Sequence, residues 1–132
     1  MRASLVVLSA VAALAVAPAA RADEFNCPAN IESDLTPAGH PQSFKFRYVS
    51  FFDGDPAEMA DLAPDDGSNP KVLEQRWSFT RAPGRPIVMV CRYHGTEATV
   101  RKEVPPEIQE CRLEGFIDEQ GEIHGSPTLT CK

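Results

Sequence analysis

The chain has no Cys-x-x-Cys pair, no His-Glu-x-x-His run, no Gly-x-Ser-x-Gly elbow and no phosphate-cradling glycine loop. The first absence excludes a thioredoxin-like redox pair and a zinc ribbon, which need two thiolates on one turn. The others remove the helical zinc-protease pair, the hydrolase nucleophile elbow and the P-loop. His40, His94 and His124 are too scattered to form a known metal spacing, so neither metal nor cofactor is expected. Positive charge is scarce, with 13 Lys and Arg against 19 Asp and Glu. So acidic a surface repels nucleic acid and anionic lipid.

Long apolar runs are also missing, with one exception. From Leu5 to Ala17 the sequence is apolar apart from Ser9, behind the positive charge of Arg2. About 13 residues are too few to cross roughly 30 Å of hydrocarbon as a helix. Ala20-Arg21-Ala22 then offers a small-x-small cleavage site, followed at once by Asp23 and Glu24. The segment reads as a secretory signal peptide over residues 1–22, leaving residues 23–132 as the mature domain with no membrane anchor. Lipidation does not fit, because Cys27 lies beyond the cleavage site and no small-residue run precedes it. Losing Arg2 and Arg21 leaves 11 basic residues against 19 acidic ones, so the net charge moves from −6 to −8. The expected location is periplasmic or secreted, as one modest domain.

All four cysteines, Cys27, Cys91, Cys111 and Cys131, fall in the mature part. An even count in an exported domain predicts two disulfides.

Period-2 alternation is the main structural signal. Phe44, Phe46 and Tyr48 alternate with Lys45 and Arg47, predicting a strand over residues 43–52, with a bulge or strand end where the pattern slips at Val49-Ser50-Phe51-Phe52. Asp55 at an N-cap, Pro56 at the first helical position and Glu58 at N3 predict a short helix through Leu62, with Met59 and Leu62 on one face. Trp77-Ser78-Phe79 fits a short strand. Residues 87–93 and 96–104 read as a hairpin turning at His94-Gly95, which sets Arg92 opposite Glu97 and Met89 opposite Val100. Residues 110–117 and 128–132 read as a hairpin centred near Gly121. That register puts Cys111 opposite Cys131 and Leu113 opposite Leu129, favouring Cys111–Cys131 with Cys27–Cys91. The alternative, Cys91–Cys111 with Cys27–Cys131, asks cysteines about two strand spacings apart to meet within ~7 Å. The expected fold is mainly β: a small antiparallel sheet or partly open barrel of about five or six strands, one short helix and two disulfides. Residues 23–42 are expected to be an irregular lead-in tied down by Cys27.

Several motifs occur together: Cys27-Pro28, Phe52-Asp53-Gly54-Asp55-Pro56, Trp77-Ser78-Phe79, Cys91-Arg92-Tyr93-His94-Gly95-Thr96, and the run from Pro105 to Cys111. In these the chain resembles a family of small exported proteobacterial proteins of uncharacterised function, with Cys-x-Tyr-x-Gly-Thr as the most specific element. The resemblance implies a periplasmic setting and carries over no catalytic residue.

The chemistry-bearing cluster is acidic. Asp53, Asp55, Asp61, Asp65 and Asp66 surround the expected helix, beside Phe52. An EF-hand would need an oxygen ligand where Ala57 stands, and its glycine is missing. These six residues are the candidate partner-binding set. Phe51, Phe52, Trp77, Tyr93 and Phe116 are core or an aromatic patch. The expected function is a non-enzymatic binding protein of the cell envelope, in its sharper form an inhibitor or immunity-type partner of a cationic wall-degrading hydrolase. The alternatives are a small envelope hydrolase with a carboxylate site, or a structural or stress protein without a dedicated ligand.

Overall fold

A computed structural model describes residues 25–36 and 38–132; the expected signal peptide lies outside them. Among the described residues, eight strands form two four-stranded antiparallel sheets. The strands are β1 (Asn30–Ser33), β2 (Gln42–Asp53), β3 (Asp65–Asp66), β4 (Val72–Ser78), β5 (Ile87–Tyr93), β6 (Thr99–Glu103), β7 (Glu110–Ile117) and β8 (Ile123–Cys131). The first sheet runs β1-β2-β5-β6 and the second β3-β4-β7-β8. The two strands beyond the expected six are β1 and β3. Both are short edge pieces of mostly polar residues, which leave no alternation to read.

One core joins the sheets. Val49 and Phe51 of β2, Met89 and Cys91 of β5, Ile108, and Cys111 and Leu113 of β7 are wholly excluded from solvent. The Phe51 ring lies 5.0 Å from both Trp77 and Phe79, in tilted pairs. Each such pair contributes roughly 0.5–1.5 kcal/mol beyond area burial. Among the described residues no buried side-chain nitrogen or oxygen lacks a partner. Tyr93 donates to Pro28 O at 2.8 Å. Burial raises the pKa of both tyrosines; for Tyr48 the hydrogen bond to Gln75 partly opposes it.

The slip in β2 is a bulge, and it comes earlier than the alternation suggests. Register shifts between Phe46 and Tyr48, so the buried set changes from Phe44 and Phe46 to Val49 and Phe51. The extra residue at that point reverses the facing of everything after it. β2 then continues unbroken to Asp53.

Cys27 is bonded to Cys91 with Cα atoms 5.7 Å apart, and Cys111 to Cys131 at 4.1 Å. The lead-in is less irregular than expected. Asn30–Ser33 pairs with Lys45–Gln42, and Asn26 donates to Leu129 O at 2.9 Å.

Two local expectations are corrected. The β5–β6 turn is not the two-residue His94-Gly95 turn: Arg92 pairs with Thr99, not Glu97, and Met89 with Lys102, not Val100. The connection is lengthened because the Thr96 hydroxyl donates to Leu35 O at 2.7 Å and accepts from Ala98 N. A shift of two residues preserves which face each side chain takes. The expected helix through Leu62 is only a 3-10 turn, Pro56–Glu58. Its start agrees with the reading, with Pro56 in the first turn and Asp55 accepting from Ala57 N at 2.9 Å. Glu58 does not complete a capping box, because its carboxylate binds Arg85. Met59 takes a left-handed conformation and ends the turn, so Met59 and Leu62 share no buried face.

Candidate partner-binding face

Residues 53–66 form an arch that leaves the end of β2, rises over the first sheet and returns to the second as β3. Several anchors fix it. Gly54 N donates to Pro86 O, Asp53 N to Ala60 O and Leu62 N to Phe51 O. The indole N–H of Trp77 donates to Leu62 O at 2.9 Å. At the seam between the sheets, Tyr48 donates to Gln75 Oε1 at 2.7 Å, and Gln75 donates onward to Asp66 Oδ1 at 2.8 Å.

Arg85 ties the start of the arch. Its Nη2 donates to Asp53 O and Glu58 Oε2, both at 2.8 Å, and its Nε to Asp53 Oδ1 at 3.3 Å. Glu58 first and Asp53 second raise its pKa above the usual arginine value. By local sequence rules Pro83-Gly84-Arg85-Pro86 signals a turn and nothing more. Contact with residues some thirty positions away leaves no local trace. Gly54 is required here: its φ is +85°, and an added Cβ would stand 2.6 Å from Arg85 Nη2. Gly84 has a similar φ of +74° but open space around it. Gly54→Ala is therefore expected to lower the melting temperature more than Gly84→Ala. Left-handed strain of roughly 1–2 kcal/mol is common to both, and loss of the Arg85 fork belongs to Gly54→Ala alone. Melting of the two variants side by side checks this, and equal losses would refute the fork's role.

The six candidate residues divide by role. Phe52 is buried, and Asp53 is committed to Arg85. Asp55 caps the 3-10 turn. Asp61 bridges to Phe52 through the backbone, and Asp65 and Asp66 form β3 against Arg76 and Gln75 of β4. Asp55, Asp61, Asp65 and Asp66 are all exposed, and none is in a salt bridge among the described residues. The arch thus carries four exposed carboxylates without a salt bridge among the described residues, on a braced backbone. Of the five aromatic residues read as core or patch, Phe51, Phe52, Trp77 and Tyr93 are buried and Phe116 is exposed. The described residues contain no group of three His, Cys, Asp or Glu able to hold a metal. No described helix is long and apolar enough to cross a membrane.

A concavity of about 630 Å³ lies between Asp34, Leu35 and Thr36 and the Gly95–Glu97 turn, with Arg47 on its wall. Asp34, Glu97 and Arg47 all line it, and Arg47 is itself 3.7 Å from Glu122. Its lining carries both signs of charge.

Residues 40–132 match the family model described as Type VI secretion system Tli immunity protein. The chain is also similar to an uncharacterised 16.3 kDa protein encoded in the trpG 5′ region of Azospirillum brasilense. That protein is 28% identical over 128 residues, spanning 86% of this chain and 85% of its own. No solved structure gives a significant match.

Proposed function

The chain belongs to the type VI secretion system Tli immunity protein family, and on that premise we propose that it captures a cationic effector in the periplasm through its acidic arch. Membership carries the general role, an immunity-type protein that binds a partner effector. The observation that carries the finer reading is the set Asp55, Asp61, Asp65 and Asp66, exposed and free of salt bridges among the described residues, on a segment fixed at both ends. Export by the signal peptide and removal of residues 1–22 complete the reading. Two disulfides suit an oxidising compartment.

The wall polymer and the membrane surfaces met in that compartment both carry net negative charge. Hydrolases that work on them gain substrate attraction from a basic face. The proposed effector is such a cationic envelope hydrolase, a wall-degrading enzyme being the form expected from sequence. The chain acts on it as a binder rather than as a second enzyme, covering the basic face the substrate would use.

The test is co-expression with effectors encoded among the type VI secretion genes of the same genome, each directed to the periplasm. The expected result is restored growth with one effector, and a complex with that effector that weakens as salt rises. Rescue by a complex indifferent to salt would overturn the electrostatic reading. Failure to bind any effector would overturn the partner assignment.

A further inference from the structure

The first sheet has an outer face, away from the core shared with the second sheet. By register this face carries Phe52 of β2, Val88 and Val90 of β5, and Arg101 of β6. Two of these residues are nevertheless buried: Val90 is 4% exposed and Phe52 9%. Neither belongs to the main core cluster. What covers them is the arch. Pro56, Ala57 and Met59 lean over this face and enclose a groove of about 280 Å³ with Phe52, Val90, Arg92, Thr99 and Arg101. That volume is below the usual range for small-molecule sites, which begins at roughly 300 Å³. It suits one or two side chains of a protein partner.

Two features of the rim point to what enters. Met59 is 83% exposed and is the only non-glycine residue with positive φ (58°) among those described. An exposed methionine held in a left-handed turn is an adaptable apolar surface at a strained position, a combination expected at recognition sites. On the opposite side stand the exposed guanidinium groups of Arg92 and Arg101. Neither is in a salt bridge among the described residues, on a chain with a large excess of acid. The contact of Arg92 with Ser50 Oγ is long, at 3.5 Å. Glu103 shares the β6 face with Arg101 but lies one step further along, opposite Val88 and outside the groove.

We infer that this groove receives an apolar side chain of the effector flanked by a carboxylate, the apolar group sitting against the exposed Met59 and the carboxylate meeting Arg92 and Arg101. Guanidinium groups hold carboxylates with directed, charge-assisted hydrogen bonds. The inference rests on the effector-binding reading and sharpens it. The effector's footprint is not uniformly basic: it carries a basic region for the acidic row and, beside it, an apolar anchor with an acidic neighbour. Such pairing of opposite signs favours one effector over other cationic proteins.

The test uses the full chain purified from the periplasm with its methionine methyl groups isotopically labelled. Met59 reports the groove, and the fully buried Met89 serves as internal control. The probes are two blocked tetrapeptides, Asp-Leu-Leu-Glu and Lys-Leu-Leu-Lys, titrated to millimolar concentration. The expected result is a saturable shift of the Met59 methyl with the acidic peptide, a still Met89, and affinity falling at least about tenfold in Arg92→Ala/Arg101→Ala. An equal shift with the lysine peptide, no shift with either, or movement of Met89 as well would overturn the inference. The peptide arm needs no effector. Saturable binding of the acidic peptide by a chain that captures no effector keeps the groove and removes the partner reading. Effector capture with a silent Met59 does the reverse.

Discussion

Replacing both ends of the longer disulfide, Cys27→Ala/Cys91→Ala, lowers the unfolding free energy by about 4 kcal/mol. The bond joins residues 64 positions apart, and loop-closure entropy for that span is on the order of 4 kcal/mol at 25 °C. For the 20-position span of Cys111–Cys131 the same reasoning gives about 3 kcal/mol. Native packing adds to the difference. Cys91 is wholly buried, and the Cys27 sulfur lies 4.0 Å from the Met89 sulfur. The bond also seats the start of the lead-in, where Lys102 Nζ donates to Asn26 O and Tyr93 to Pro28 O. Since small domains hold only about 5–15 kcal/mol in total, this variant is expected to sit near the threshold of folding at growth temperature. Urea unfolding of both double variants measures the two losses. The ordering would be overturned if the Cys111/Cys131 variant lost more, or if the Cys27/Cys91 variant lost under about 1 kcal/mol, a quarter of the loop-closure value.

The second large effect falls on association. Asp61→Lys/Asp65→Lys changes the charge of the arch by four while leaving its bracing intact. Asp53, Asp55 and Asp66 are avoided because they accept hydrogen bonds that build the arch. Steered association between oppositely charged proteins gains one to three orders of magnitude in rate at low salt. The variant is accordingly expected to bind the effector roughly ten- to a hundredfold more slowly at low ionic strength. The gap should close towards about 1 M salt, where screening acts over about 3 Å. The matched control is Glu107→Lys/Glu119→Lys, which has the same net charge change at exposed turns remote in sequence from the arch. Stopped-flow association of the three proteins decides the matter. If the control slows as much as the arch variant, net charge steers the partner and the arch does not.

How much of the molecule is legible in its sequence depends on the range of the forces involved. The alternation of Phe44 and Phe46, the apolar run from Ile87 and the symmetry about Gly121 are local patterns, and the strands built on them are in place. The β5–β6 register departs from expectation because Thr96 binds Leu35, sixty-one positions away. The helix signals around Asp55 specify only a first turn. The path of the chain beyond that turn is decided by Arg85 and by backbone bonds to β2, which no local rule contains. The acidic row is evident from composition alone. The groove beside it is not, because its walls come from β2, the 3-10 turn, β5 and β6.

The bond from the Trp77 indole to Leu62 O carries a further consequence. Trp77 is the chain's one tryptophan, 3% exposed, and its N–H is held by the closing end of the arch. The protein therefore carries its own optical gauge. Its intrinsic emission comes mainly from a single indole whose polar end touches the segment proposed to meet the effector. Any event that lifts that segment admits water to the ring and reddens the emission, whereas docking that clamps it leaves the ring dry. Partner engagement and arch opening can thus be told apart by colour in the unmodified molecule, with no label attached.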